Sequence, residues 1–411
     1  MKLKLFSDKF YNSGVAYGGA IWQSITGVDP TTPRTSSSNE TIYRIGNTEP
    51  DFFGYILDSV GIDYEYTEDL SASNIVVVDI GSSEWNTACK EISKQYPKAI
   101  VFSSQEPADT DVKQLLDKHK NIFVMDAVYH PTPGVFHERY IPFPSFFSRM
   151  LNPFFNTVIA YHSINLHAGK PNGKKLIFNN LKYRNTYDKS LTQYFLNKNN
   201  LVNEATTYRR DNGFSIGREK QINPNNIKQY IGCLTQDMET SENKVGVNDF
   251  KDFLLHSNNI DLDDNVTFSR AKRYWPLWIF NDTYFSIANE SVCGLRHFFT
   301  EKSLYPLMMG HPLIINGSQV NAMYKILEQF GFVMHDHILN YDVSNNMIDT
   351  NLQNIDNIRN FKRDRYSISF WETIKRSHNN RKNFLNVNSI LWQNLSATMN
   401  NNLDKYLEFK Q

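Results

Sequence analysis

Residues 284–342 read YFSIANESVCGLRHFFTEKSLYPLMMGHPLIINGSQVNAMYKILEQFGFVMHDHILNYD, and the order of elements in this stretch decides the fold. Tyr284 to Ala288 is a short apolar run with aromatic and β-branched residues, the composition of a buried strand. A polar loop follows, then Thr300 and Glu301, an N-cap with an acidic first turn. Leu304, Leu307 and Met308 recur at helical spacing, and Gly310 stops that helix. His311-Pro312 opens a second buried strand, Leu313 to Asn316. Gly317-Ser318 is a turn that brings backbone amides close to a ligand. The unit is βαβ. Ligands of such sheets sit at the carboxyl ends of the strands, and Glu290, Thr300, Glu301, Lys302, Gly317 and Ser318 all lie near those ends. A carboxylate beside a lysine at a helix start suits a ribose diol and a diphosphate. The carboxylate accepts from hydroxyls, while the lysine and helix amides meet phosphate. The same residues also read as an ordinary βαβ unit with a surface Glu-Lys pair.

FFTEKSLYPLMMGHPLIING, followed by LEQFGF, resembles the donor-binding segment of GT-B glycosyltransferases. The type is common in phage and environmental genomes and is more distantly similar to fucosyltransferases with a T-E-K helix start. The resemblance covers residues 174–365. It implies an α/β fold of two doubly wound Rossmann-like domains facing across a cleft. Residues 1–145 would form the acceptor-side domain and 146–173 a linker rich in proline and aromatics. Residues 174–385 would bind the nucleotide sugar, and 386–411 would form a last helix packing back on the first domain. The implied activity is transfer of a sugar from a nucleotide-sugar donor, a UDP- or GDP-sugar, to an acceptor hydroxyl, with no obligatory metal. The second domain opens with a strand, Lys175 to Asn179, a loop NLKYRNTYDKS and a helix from Asp188. Relatives of this type carry an Arg-rich loop there, matched here by Asn179, Lys182, Tyr183 and Arg184. Lys182, Arg184 and Lys302 would neutralise the departing diphosphate, whose charge grows in the transition state. Glu301 would hold the ribose diol, and Glu290 would sit close to the sugar or ribose.

Composition narrows the partners. Forty-three basic and forty-three acidic residues give a formal net charge of zero, so no global field draws the chain to nucleic acid or membrane. Aromatic residues make up 14%, which fits both a filled core and a site that stacks on sugars or bases. Cys89, Cys233 and Cys293 are widely spaced with no disulfide framework, as in a reducing compartment. No signal peptide precedes the first strand, and no apolar run reaches bilayer length. The expectation is a soluble cytoplasmic protein, in the host cytoplasm if phage-encoded.

In the first half, strands at 1–6, 41–46, 74–79, 99–103 and 122–125 alternate with helices at 51–60, 85–96 and 109–118. That alternation implies a doubly wound parallel sheet. Glu106, in SSQEP just after a strand, is the candidate base that takes a proton from an acceptor hydroxyl. Asp8, Asp79 and Glu84 compete for that role, and a solvated loop or a helix cap is the plainer reading of Glu106. Gly18 and Gly19 belong to no full GxGxxG, so a dinucleotide site is unsupported there. Residues 211–282 look polar and irregular. Within them Asp261-Leu262-Asp263 lacks the apolar strand that precedes a metal-binding DxD motif. RAKRYWPLW, residues 270–278, mixes basic and aromatic side chains, suiting an acceptor groove, even one for nucleic acid, or a surface loop. In His335-Asp336-His337 the two histidines would share a strand face in an alternating segment, without a third metal ligand.

The acceptor stays open between a glycan, a small molecule and a hydroxymethylated base of phage duplex DNA. A non-catalytic nucleotide- or carbohydrate-binding protein of the same fold, or an epimerase or phosphorylase, are the other classes. On this reading Glu301→Ala weakens donor binding and Lys302→Ala cuts turnover in steady-state kinetics. Near-wild-type constants in both variants would remove the assignment.

Overall fold

The computed structural model describes residues 3–9, 52–80, 84–103, 108, 111–128, 137–150, 175–180, 186–208, 224–256, 280, 283–290, 298–317, 320–342, 344, 346–361 and 369–409. The chain divides into two units. The first comprises residues 1–158, 293–299 and 385–411, and the second residues 159–292 and 300–384.

The first unit is built on an all-parallel sheet of β1 (Leu3–Lys9), β2 (Tyr64–Tyr66), β3 (Ile75–Asp79), β4 (Ala99–Phe102), β5 (Ile122–Asp126) and β6 (Tyr140–Pro142). Their order is β2-β1-β3-β4-β5-β6. Both faces of a parallel sheet are covered by helices, which is why Ile75–Asp79 and Ile122–Asp126 are apolar almost throughout and buried at every position. Helices α1 (Phe52–Ser59), α2 (Trp85–Gln95), α3 (Val112–Lys118) and α4 (Ser145–Met150) belong to the same unit. The direction of winding changes between β1 and β3.

The second unit carries a parallel sheet of β7 (Lys175–Asn180), β8 (Ala205–Tyr208), β9 (Thr283–Asn289) and β10 (Leu313–Asn316), in the order β10-β9-β7-β8. Here the change of direction falls between β7 and β9, which pair in register from Lys175↔Thr283 to Asn180↔Ala288. Around it lie α5 (Tyr187–Lys198), α6 (Pro224–Thr240), α7 (Val247–His256), α8 (Glu301–Met309), α9 (Val320–Gln329), α10 (Met347–Asn360) and α11 (Phe370–Leu385). Leu191, Leu234, Phe250, Phe285, Ile287 and Ile348 form the heart of its core. β10 is an edge strand, and the Tyr324 hydroxyl accepts the Ile315 amide at 2.7 Å.

The fold class is α/β, as expected, with a doubly wound parallel sheet in each of the two units. Two local expectations fail. The supposedly irregular stretch 211–282 contains α6 and α7, because Ile227, Tyr230, Ile231 and Leu234 recur at helical spacing within an Asn- and Gln-rich background. His335-Asp336-His337 lies in a turn, outside any strand.

The last helix, α12 (Ile390–Glu408), belongs to the first unit. Leu391, Leu395, Met399, Leu403 and Tyr406 recur every three or four residues and are buried. The Tyr406 hydroxyl accepts from the Val76 amide at 3.3 Å and donates to the Lys98 carbonyl at 3.1 Å. In return Lys98 Nζ donates to the Tyr406 and Phe409 carbonyls at 2.7 and 3.3 Å, a cation satisfying the negative end of the helix.

Gly310 ends α8 in the left-handed region, with φ of 72°. A Cβ there would stand 2.5 Å from the Ser377 carbonyl oxygen on α11. Gly310→Ala therefore meets both backbone strain and a clash with main chain. Urea denaturation is expected to show a loss of about 2 kcal/mol or more; a loss below 0.5 kcal/mol would remove this packing constraint.

Candidate functional site

A doubly wound sheet binds ligands outside the carboxyl ends of its strands, where the winding changes direction. In the second unit that point is the end of β7, Asn180, beside the end of β9, Asn289-Glu290. Successive strand residues point to opposite faces of the sheet. Asn289 therefore serves one face and Glu290 the other, and each ties down a different helix.

Glu290 holds α8. Its Oε1 accepts from the Thr300 amide at 2.9 Å, the Ser303 amide at 3.1 Å and the Ser303 hydroxyl at 2.5 Å. Its Oε2 accepts from the Thr300 hydroxyl at 2.6 Å. At 1% exposure the carboxylate is buried, and four donors compensate its lost hydration. Thr300 is the N-cap, and its Oγ1 accepts from both the amide and the ammonium of Lys302, at 3.2 and 3.0 Å. The amides of Lys302 and Ser303, expected to meet a phosphate, are thus already engaged by Thr300 and Glu290. Lys302 remains as a cation only 7% exposed at the helix start.

Asn289 holds α5. Its Oδ1 accepts from the Thr192 hydroxyl at 2.6 Å and from Asn316 Nδ2 at 3.0 Å. Asn316 ends β10 and also bonds Thr192 and, at 3.3 Å, Asn351 of α10. Asn289, Asn316 and Asn351 are all buried, so the strand ends carry a closed amide network. The Asn316 Oδ1 alone in this network is without a partner.

Of the residues marked in the sequence, the structure brings Glu290, Thr300 and Lys302 together. Gly317 is buried in the bend directly after β10. Glu301 is the first residue of α8, and its side chain lies outside the described residues, as do Glu106, Lys182, Arg184, Ser318, Gly18, Gly19, Asp261, Asp263 and residues 270–278. Among the competing bases, Glu84 caps α2, accepting from the Asn86 and Thr87 amides at 3.0 and 2.8 Å. Hydrogen bonds led by that from the Thr87 hydroxyl hold its carboxyl below the usual glutamate range, which weakens it as a base. Asp8 accepts a hydrogen bond from the Tyr96 hydroxyl. Asp126 is fully buried, taking the Ala108 amide at 3.1 Å and the Tyr140 hydroxyl at 3.0 Å.

Two residues that reasoning on the sequence passed over belong to this neighbourhood. Asn289 had no signal beyond ending an apolar run. Lys189, in the first turn of α5, is 6% exposed, and nothing in its local sequence separates it from a solvated lysine.

A groove of about 920 Å³ lies elsewhere, in the first unit. Tyr96, Asn121, His137, Arg139 and Phe409 line it, at the amino ends of β5 and β6, the opposite edge from ligand sites in such sheets. The buried Arg139 there is committed to the carbonyls of Leu116, His119 and Ile122. Among the described residues no group of three or more His, Cys, Asp or Glu is placed to hold a metal ion, and no helix is long and apolar enough to cross a membrane.

No protein-family model matches the sequence, and no curated protein matches it. Solved structures similar to the chain include an α1,3-fucosyltransferase, with a TM-score of 0.42 and 11% identity, over 99% of this chain and 94% of that one. The apo structure of OtsA has a TM-score of 0.41 and 9% identity over the whole of both chains. An α,α-trehalose 6-phosphate synthase from Burkholderia multivorans has a TM-score of 0.36 and 9% identity, over 98% of this chain and 96% of that one. Likenesses this slight carry no argument about activity.

His335 and His337 act as core polar groups. Their Nε2 atoms lie 3.1 Å from Ser377 Oγ and 2.7 Å from Thr373 Oγ1 on α11. Burial, with His337 next in effect, pushes the His335 imidazole down to about 3. It stays neutral in the fold while the unfolded chain protonates near 6.5. Stability is therefore full above about pH 6.5 and falls as pH drops toward 3, by about 1.4 kcal/mol per pH unit from this group. Melting curves between pH 7.5 and 4.5 should show that slope reduced in His335→Gln; an unchanged slope would assign the acid loss to other groups.

Proposed function

We propose that the protein is a glycosyltransferase that moves a sugar from a nucleotide-sugar donor to an acceptor hydroxyl. The observation that carries this reading is the end of β9 in the second unit. There Glu290, Thr300 and Lys302 form one buried cluster at the point where the sheet changes direction, the place that Rossmann-like sheets use for nucleotides. In the proposed reaction an acceptor oxygen attacks the anomeric carbon as the bond to the donor diphosphate breaks. The acceptor proton goes to a carboxylate, proposed to be Glu106, and the electron pair leaves with the diphosphate. Lys302, with Lys182 and Arg184 from the loop after β7, would neutralise that charge. Glu301 would hold the ribose diol, and Gly317 and Ser318 would admit the ligand close to the backbone. Glu290 is proposed to act through Thr300 and Ser303, fixing the helix start so that Lys302 is presented in one position. The donor is proposed to be a UDP- or GDP-sugar, with no obligatory metal. The acceptor is a glycan, a small molecule or a hydroxymethylated base in duplex DNA.

One observation favours a second reading. The first-turn amides of α8 are satisfied by the chain's own Thr300 and Glu290, which also suits a nucleotide- or carbohydrate-binding protein without transfer activity.

A thermal-shift screen against UDP, GDP, CDP, ADP and their sugars tests both. Stabilisation by several degrees with one nucleotide, lost in Lys302→Ala, is the expected result. Hydrolysis or transfer of the sugar then separates the enzyme from the binder. No shift at millimolar nucleotide would remove the transferase reading.

A further inference from the structure

Helix α11 has two unlike faces. Thr373, Ser377, Asn380 and Asn383 recur every three or four residues and are buried. Asn380 pairs with the main chain of Val333, its Oδ1 accepting from the amide at 2.7 Å and its Nδ2 donating to the carbonyl at 2.8 Å. Asn383 Nδ2 donates to the Phe330 carbonyl at 2.7 Å. With Thr373 and Ser377 bonded to the two histidines, this face is committed to its own chain. The other face is left to solvent. Trp371, Lys375, His378 and Lys382 are exposed, and their spacing of four, three and four residues sets them in one stripe along the helix. Glu372, the one carboxylate of α11, lies outside the stripe and accepts from Arg376 at 2.7 Å.

Charge gathers at this helix. It carries Lys375, Arg376, Arg381 and Lys382 against Glu372, and residues 359–365 of the sequence add Arg359, Lys362, Arg363 and Arg365 against Asp364. A chain of zero net charge thus concentrates eight of its forty-three basic residues, and only two of its forty-three acidic ones, between positions 359 and 382. Trp371 stands at the start of the stripe and is 76% exposed, more than any other large hydrophobic side chain among the described residues. The Phe370 ring backs it in a T-shaped contact, with centroids 4.9 Å apart.

An occupant of this face must bring negative charge for the lysines and a flat apolar surface for the indole. A bilayer takes up a helix through a broad apolar face. Here α11 has one indole to offer, since its opposite face is docked on its own chain. A nucleic acid single strand brings both features: phosphates for the lysines, and bases that stack on aromatic rings irrespective of sequence. Lys375 and Lys382 stand about 10 Å apart along the helix axis, about the rise of three stacked nucleotides.

We propose that the outer face of α11 binds single-stranded nucleic acid, with Trp371 stacking on a base and Lys375 and Lys382 meeting phosphates. This surface does not rest on the transferase reading, and it uses none of the residues assigned to sugar transfer.

The test is fluorescence anisotropy of the full chain with a labelled oligothymidylate and a labelled oligouridylate, each of about twenty nucleotides, in about 50 mM salt. At least one strand should bind. Trp371→Ala should weaken that binding by at least about fivefold, the loss of one base stack, and Trp371→Phe should retain most of it. Lys375→Gln combined with Lys382→Gln should flatten the slope of log affinity against log salt by about 1.4. Lys113→Gln, at an exposed lysine of the first unit, should change neither quantity. In the wild type the strand should quench tryptophan emission, and heparin, a polyanion without bases, should not. Failure of both strands to bind would overturn the proposal. Binding that Trp371→Ala leaves intact would also overturn it, by assigning the strand to another surface. Attachment to phosphatidylserine vesicles through Trp371, with no strand bound, would assign the face to a membrane instead. Nucleotide-sugar binding at the Lys302 cluster should be unchanged in all of these variants, so each reading can fail without the other.

Discussion

The second unit depends on the carboxylate of Glu290. It is a buried carboxylate, and it survives burial because four donors from Thr300 and Ser303 at the start of α8 converge on it. The bond network does two things at once. It fixes the angle at which α8 leaves the sheet, and it fills the electrostatic role that an external anion plays at many helix starts. A lysine placed on such a helix would ordinarily be repelled by the dipole. Here the internal carboxylate, linked through Thr300 Oγ1 to Lys302 Nζ, offsets that repulsion and lets the ammonium stay buried.

Neighbouring strand residues divide the work on the other face. Asn289 and Glu290 are consecutive, point to opposite faces and anchor different helices, so the period of the strand itself sets the two helix starts apart. Uncharged amides hold α5, whereas a carboxylate holds α8.

Much of this was legible in the sequence, for physical reasons particular to each segment. IVVVD, AIVF and LIIN are buried on both faces, so they read as unbroken apolar runs with sharp ends. The cap at Thr300 and the left-handed stop at Gly310 are local chemistry and were equally readable. Tyr64–Tyr66, Tyr140–Pro142 and Ala205–Tyr208 were not, because three or four residues carry too little pattern to mark a strand. Helix α6 was hidden by its polar composition. Glu290 was marked in the sequence, but its hydrogen-bond partners were not. The signal was present: Thr300 and Ser303 occupy the capping-box positions without the acidic residue that normally completes the box, so the carboxylate had to come from elsewhere. Lys189 had no such signal, since its burial is created by helices and strands far away in the chain.

The final helix has a consequence for how the protein is made. Tyr406 bridges the starts of β3 and β4, more than three hundred residues upstream in the sequence. During synthesis the first sheet leaves the ribosome early but lacks the helix that covers one of its ends until the whole second unit has followed it out. The second unit, with its core drawn from residues 191–361, can close while translation continues. The order of completion is thus the reverse of the order of synthesis, and the unfinished edge of the first sheet is the surface that a chaperone would need to shield.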